Sequence, residues 1–242
     1  MESPYLNLTQ QLVHKLGQAI MQGQYQVGKG LPSEADLCSQ YNISRTATRE
    51  AVKMLTAKGL ISSRPRQGIK VLESKHWNFF DVDVLSWILN GQPNLYMLRH
   101  FLQLRLPIES EAAYLAAEYA EYDDLKDIEK ALGRMKNATT GHDDSHEADI
   151  EFHQSILSAS KNPFFIQLKN FISTALQVNL RFTNRLQAVT MEEYQAHVDI
   201  FNHIKNGDSE AAAKCALVTQ RETLAIVNEK IKAFEQEEKK SV

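Results

Sequence analysis

Two sets of residues in this 242-residue chain have types and spacings that do chemistry. The first is acid, imidazole and guanidinium on apolar helical patterns. Asp149 and His153 stand four apart, so they are neighbours on one helix face, and Phe152, Ile156 and Leu157 share that side. His197 sits at the centre of a stripe of Tyr194, Ile200, Phe201 and Ile204. Arg105 and Glu109 lie within a stripe of Leu98, Phe101, Leu102, Ile108, Ala112 and Ala116. A carboxylate, two imidazoles and an arginine–glutamate pair are therefore predicted to face one interior. An unsatisfied buried polar group costs about 1–3 kcal/mol, and a charged one costs more. A divalent metal, a bound anion or the groups themselves would meet that demand. Arg105–Glu109 reads either as a structural ion pair or as part of a ligand site. His142, Asp143, Asp144 and His146 are denser in sequence, but they follow Gly141 and read as the acid-rich first turn of a helix.

The second set is cationic. In the pattern beginning at Ser44, Ala47, Ala51, Met54 and Leu55 fall on one side of a helical wheel, and Arg45, Arg49 and Lys53 on the other. One face packs while the other presents cations, which suits a recognition helix entering a DNA major groove. Arginine's fork can take guanine O6 and N7 together.

The elements that must position these residues are legible in outline. Ser33 and Ser44 are N-cap types, Pro32 stops helix before the first of them, and Gly59 ends the second helix. Helices are predicted at 5–22, 33–41 and 44–58, with a turn over 24–31. Short strands at 60–63 and 69–72 flank a basic wing, Arg64-Pro65-Arg66-Gln67-Gly68. Residues 74–83 break the pattern and read as a linker between a first domain at 1–73 and a second at 84–242. Beyond it the patterns are helical, at about 81–91, 94–120, 122–138, 144–160, 163–186, 190–206 and 208–236. They are punctuated by Asn90-Gly91, Pro93, Asn162-Pro163 and Asn206-Gly207. The expected fold is mainly α: a winged helix-turn-helix followed by an all-α bundle.

Charge divides along the same line. Residues 1–75 carry ten Lys/Arg against five Asp/Glu, net +5, and the remainder 17 against 25, net −8, giving −3 in all. A basic module beside an acidic one fits a nucleic-acid reader joined to a domain that avoids DNA. Cys38 and Cys215 read as small buried hydrophobes of a reducing compartment. No apolar run reaches the ~20 residues of a membrane span, and the first residues lack a signal-peptide pattern. The expected location is the cytoplasm.

Leu31-Pro32-Ser33-Glu34, Leu37, Ser44-Arg45, Arg49-Glu50-Ala51, Leu55, Gly59-Leu60-Ile61 and Gly68 together resemble the winged helix-turn-helix of the GntR family of bacterial transcription regulators. The resemblance implies Arg45 and Arg49 on base edges or phosphates, Ser44 and Thr46 on phosphates, and Gly68 at a wing tip near the minor groove. Ser33, Lys53, Arg64 and Arg66 complete the expected DNA-facing set. Ala47 stands where the family often has proline, a mild departure. The second half resembles the FCD effector domain of the FadR subgroup. That likeness rests on Arg105 with Glu109, Asp149-x-x-x-His153, Asn162-Pro163, and His197 with Gly207-Asp208.

Many such domains hold a divalent metal (Zn²⁺, Ni²⁺ or Mn²⁺) with an Asp and three His. Asp149, His153 and His197 would be three ligands here, but Thr219 occupies the fourth position, and a neutral hydroxyl is a poor substitute for imidazole. Either three ligands plus water or effector oxygen hold a metal, or these groups bind a polyhydroxylated effector directly. The implied effector site is Arg105, Glu109, Asp149, His153, His197 and Thr219. The segment Trp77–Trp87 resembles regulators of sugar-acid operons of the galactonate type. The resemblance thus implies a homodimeric repressor on palindromic operator DNA, released by a small carboxylate such as a sugar acid. A hydrolytic enzyme is disfavoured, because His-Glu-x-x-His and a placed nucleophile are both missing. An effector-independent DNA-binding protein would leave the inward polar set without a purpose.

Overall fold

The computed structural model describes residues 7–90, 95–182 and 190–240, which fall into two compact units, Met1–Gln92 and Pro93–Val242. In the first unit, α1 (Leu8–Met21) opens on a capping box between Asn7 and Gln10 and buries Leu12, Val13, Leu16 and Ile20. Helix α2 (Glu34–Tyr41) opens on a second box between Ser33 and Asp36. It ends at Asn42 in the left-handed conformation, which turns the chain into α3 (Arg45–Ala57), capped by Ser44. Strands β1 (Ile61–Arg64) and β2 (Gly68–Val71) pair antiparallel, from Ile61 opposite Val71 to Arg64 opposite Gly68. Leu37, Leu55, Leu60 and Ile61 are fully buried at the centre. Gly59 has φ +75°, and a Cβ there would collide with the His76 carbonyl oxygen, so only glycine fits.

Three details differ from the sequence reading. Met54 is exposed, while Thr48 and Val52 join Ala51 and Leu55 on the packed face of α3. A wheel that scores threonine as polar leaves Thr48 off the packed face. Its hydroxyl is satisfied in the interior, donating to the Ser44 carbonyl at 3.1 Å and lying 3.1 Å from Cys38 Sγ. The stretch 24–31 is more than a turn. Leu31 N–H donates to Ile69, and Val71 N–H to Lys29, so it lies along β2 as a third edge.

The linker read at 74–83 instead falls inside the first unit, which also takes in α4 (Val82–Asn90). A 3-10 turn at Ser74–His76 leads to Asp81 and Asp83, whose carboxylates accept from Lys58 Nζ at 2.8 and 2.7 Å. Trp87 lies so close to Gly17 that a Cβ there would strike the indole, and its Nε1–H donates to His14 Nδ1 at 2.7 Å. These contacts join residues far apart in sequence, so local composition did not reveal them.

The second unit is all helix among its described residues: α5 (Leu95–Tyr119), α6 (Tyr122–Ala138), α7 (Ser145–Ala159), α8 (Pro163–Gln167), α9 (Lys169–Phe182), α10 (Met191–Lys205) and α11 (Ser209–Lys240). Helix α11 packs along α5, α6 against α7, and α10 against α11. The single pattern expected over 163–186 is two helices, split at Leu168. Residues 91–94, including Gly91 and Pro93 of the expected break, and Arg185 lie outside the described residues, as do the side chains of Asn179 and Arg181.

Candidate functional site

In the first unit the cations lie on the surface. Arg45, Thr46, Arg49 and Lys53 are all exposed on α3 because Thr48, Val52 and Leu55 turn the other face inward. Arg49 Nε meets Glu34 at 3.2 Å and Lys53 meets Glu50 at 2.8 Å, both in water. Exposed pairs of this kind are worth at most about 1 kcal/mol and are easily exchanged for other anions. Ser44 and Ser33 face solvent or near-solvent as caps, their hydroxyls accepting from Ala47 N–H and Asp36 N–H at 3.2 Å. Arg64, Arg66 and Gly68 are exposed at the wing, where Arg66 and Gly68 take φ of +64° and +74°. The tip is thus a tight turn carrying two guanidinium groups.

In the second unit the polar residues are inside. Arg105 and Glu109 on α5 form a two-pronged pair, Nε to Oε1 at 2.6 Å and Nη2 to Oε2 at 3.0 Å, with Arg105 only 2% exposed. Glu109 Oε2 also accepts from Gln220 Nε2 on α11 at 2.5 Å and lies 2.9 Å from His153 Nδ1 on α7. The far side of the same ring, Nε2, faces Asp149 Oδ1 at 3.6 Å. His197 Nε2 on α10 faces that oxygen at 3.4 Å. His197 Nδ1 lies 2.6 Å from the Glu193 carbonyl, while its Nε2 is buried without a hydrogen-bond partner. Asp149, His153 and His197 each offer one ligand atom, and these atoms lie within 4.8 Å of one another. A cavity of about 510 Å³ opens onto Asp149, both histidines, Arg105, Thr219 and Gln220, with Thr190, Glu192, Glu222 and Thr223 also on its wall.

Electrostatics follow from burial and pairing. Burial pushes the Glu109 carboxyl up, but the Arg105 guanidinium and the His153 imidazole prevail and hold it at about 2. Burial pushes the His153 imidazole down, and the Glu109 and Asp149 carboxylates overcome this and raise it to about 9. For Asp149 too, burial works upward, yet His153 and His197 carry it well below the usual carboxylate range.

Of the expected interior set, Asp149, His153 and His197 converge as the sequence predicts. Arg105 and Glu109 satisfy each other first. Thr219 is on the cavity wall, but its hydroxyl proton is donated to the Cys215 carbonyl of its own helix at 3.2 Å. Asp144 is the N-cap of α7, and Asp143 is not merely solvated, because it accepts from Arg134 at 2.9 Å. Cys38 and Cys215 are free and half-buried rather than buried. Gln220 and the Glu193 carbonyl escaped the sequence reading. The only available signal for Gln220 was its place one turn after Ala216 on the inward face.

A divalent metal suits this donor set. Two imidazoles and a carboxylate form an N₂O cluster, and each histidine has its Nδ1 opposite an acceptor. That leaves the two Nε2 atoms toward Asp149, the arrangement that orients metal-bound histidine. The Nε2 of His197, 3.4 Å from Asp149 Oδ1 but without a hydrogen bond, is the observation that favours a metal at this donor set.

Comparison with known proteins places these units. Residues 8–71 match the gntR family of bacterial regulatory proteins, and residues 100–219 match the FCD domain. The galactonate operon transcriptional repressor of Escherichia coli K12 is 34% identical over 213 residues, covering 88% of this chain and 93% of that protein. The E. coli regulator YieP is 33% identical over 210 residues, 86% of this chain and 90% of that one. Among solved structures, Lar of Listeria monocytogenes superposes with a TM-score of 0.62 over 94% of this chain and 99% of that one, at 17% identity, a likeness of fold. No described helix is long and apolar enough to cross a membrane. The chain belongs to the GntR family of bacterial regulatory proteins, in the group with an FCD domain, and is a transcription regulator rather than an enzyme.

Proposed function

We propose that this chain is a homodimeric cytoplasmic repressor whose operator affinity falls when a small sugar-acid carboxylate enters the cavity of the helical unit. The observation that carries the reading is the cavity over Asp149, His153 and His197, with a buried imidazole nitrogen left unpartnered. Asp149, His153 and His197 would hold a divalent ion, with Thr219 in place of a fourth protein ligand. When bound, such an ion supplies the cation that a carboxylate needs. The remaining wall, with Thr190, Thr219 and Thr223, offers hydrogen-bonding groups for hydroxyls. The similarity to the galactonate operon transcriptional repressor favours a sugar acid.

On the DNA side, Arg45 and Arg49 would read base edges or phosphates from the major groove. Ser33, Ser44, Thr46 and Lys53 would fix the helix on the backbone, and Arg64, Arg66 and Gly68 would place the wing. A two-fold dimer implies a short palindromic operator. An effector shifts the equilibrium only through unequal affinity for the DNA-bound and released states. A gel-shift assay on DNA upstream of its own gene, repeated with sugar acids of four to six carbons with and without divalent metal, tests this. The expected result is specific binding abolished by one compound. A complex that persists under every compound and metal defeats the effector reading, and no specific complex at all defeats the whole.

A further inference from the structure

Glu109 engages three polar side chains of the helical unit. Both of its oxygens accept from Arg105, and Oε2 also accepts from Gln220 and faces His153 Nδ1. It is 4% exposed, so water does not compete for these bonds. Paired through both oxygens with the Arg105 guanidinium, this carboxylate can only accept hydrogen bonds. The ring atom opposite it must therefore be Nδ1–H, and metal coordination by His153 is left to Nε2, the atom that faces Asp149. His197 is set in the same sense by a main-chain carbonyl, which no side-chain substitution removes. His153 relies on a side chain 40 residues before Asp149, the nearest of the three candidate ligands in sequence, on α5 rather than α7 or α10.

We propose that Glu109 is the positioning residue of the metal site. It fixes His153 with Nε2 toward Asp149, and it neutralises Arg105, so Arg105 is a structural partner of the site rather than the clamp for an effector carboxylate. This rests on the metal reading given above and extends it to a group that would touch neither metal nor effector. An amide in place of the carboxylate reverses the relation, because its NH₂ can donate to Nδ1 and leave the proton on Nε2, where the metal would bind.

The test is Co²⁺ titration of the metal-stripped full-length protein, read by visible absorption and calorimetry, with no DNA or effector present. Glu109→Gln is expected to weaken Co²⁺ binding about 10–100-fold and to change the ligand-field bands, the range found when partners of metal-bound histidine are removed. Gln220→Met removes a bond to Glu109 while leaving the Glu109–His153 contact, and is expected to stay within about threefold of the parent. Glu109→Gln also strands the Arg105 charge, so Arg105→Met/Glu109→Gln provides a variant without a buried cation. It is expected to fold and to bind Co²⁺ as weakly as Glu109→Gln.

Parental Co²⁺ affinity and spectrum in the folded double variant overturn the proposal, as does a loss in Gln220→Met as large as that in Glu109→Gln. If the parent protein and Asp149→Ala take up Co²⁺ equally poorly, the metal reading itself fails, and the proposal with it.

Discussion

The two units use arginine in opposite ways. On α3 of the first, Arg45 and Arg49 stand in water, held only by exchangeable surface pairs or by none among the described residues. In the second, Arg105 is enclosed and bound through two nitrogens to Glu109. A guanidinium that must meet a polyanion has to remain available, and solvent keeps the cost of leaving it unpaired low. One inside a helical bundle must bring its own counter-ion, because removing a single partner of a buried pair is far more costly than the pair's net contribution. The same residue type therefore indicates recognition in one place and architecture in the other, and burial decides which.

Substitutions can break or sharpen that contrast. The largest effect is expected from Glu109→Ala, which strands Arg105 and should lower stability by about 3–5 kcal/mol in chemical denaturation. A loss below about 1 kcal/mol would mean that water reaches the pair and that the interior is not as closed as its burial indicates. Next is Arg49→Ala on the surface. It should cost about 1–3 kcal/mol of operator affinity in a binding titration while leaving the unfolding midpoint in place. Unchanged affinity would remove Arg49 from the reading of DNA.

A third effect concerns protons. Without metal, His153 retains its proton below about 9 because of Glu109 and Asp149. A metal must displace that proton, so metal affinity should rise with pH across the neutral range and level off above about 9. Calorimetry in two buffers of different ionisation enthalpy would measure the released proton. Affinity that is flat between about pH 6 and pH 8 would show that His153 is already neutral or is no ligand. The smallest effect is expected from Lys53→Ala, which should reduce the slope of log affinity against log salt by about 1 and leave sequence preference unchanged. Altered preference would move Lys53 from backbone to bases.

Much of this is legible in the sequence. The caps Ser33 and Ser44 and the wing glycine are local signals, and local signals survive without tertiary information. The inward direction of Asp149, His153 and His197 follows from helical spacing, because a polar residue within an apolar stripe has to point where the stripe points. Two failures have the same origin. The wheel puts Met54 on the packed face and leaves Thr48 off it, because hydropathy does not register that a threonine hydroxyl can bond back to its own helix. The stretch 74–83 reads as a linker because what it meets, Lys58 at Asp81 and Asp83 and Gly59 at His76, lies well before it in the chain.

By itself, then, the sequence determined the order of the elements, the cationic face of α3 and the inward direction of the acid and imidazole groups. These depend on periodicities of two and 3.6 residues and on capping chemistry over a few positions. Only the tertiary structure decided that Arg105 answers Glu109, that Gln220 and His153 reach the same carboxylate, and that His197 keeps a nitrogen without a partner. Which donor meets which acceptor depends on how separate helices pack, and helical spacing fixes a side chain's direction without fixing what it meets.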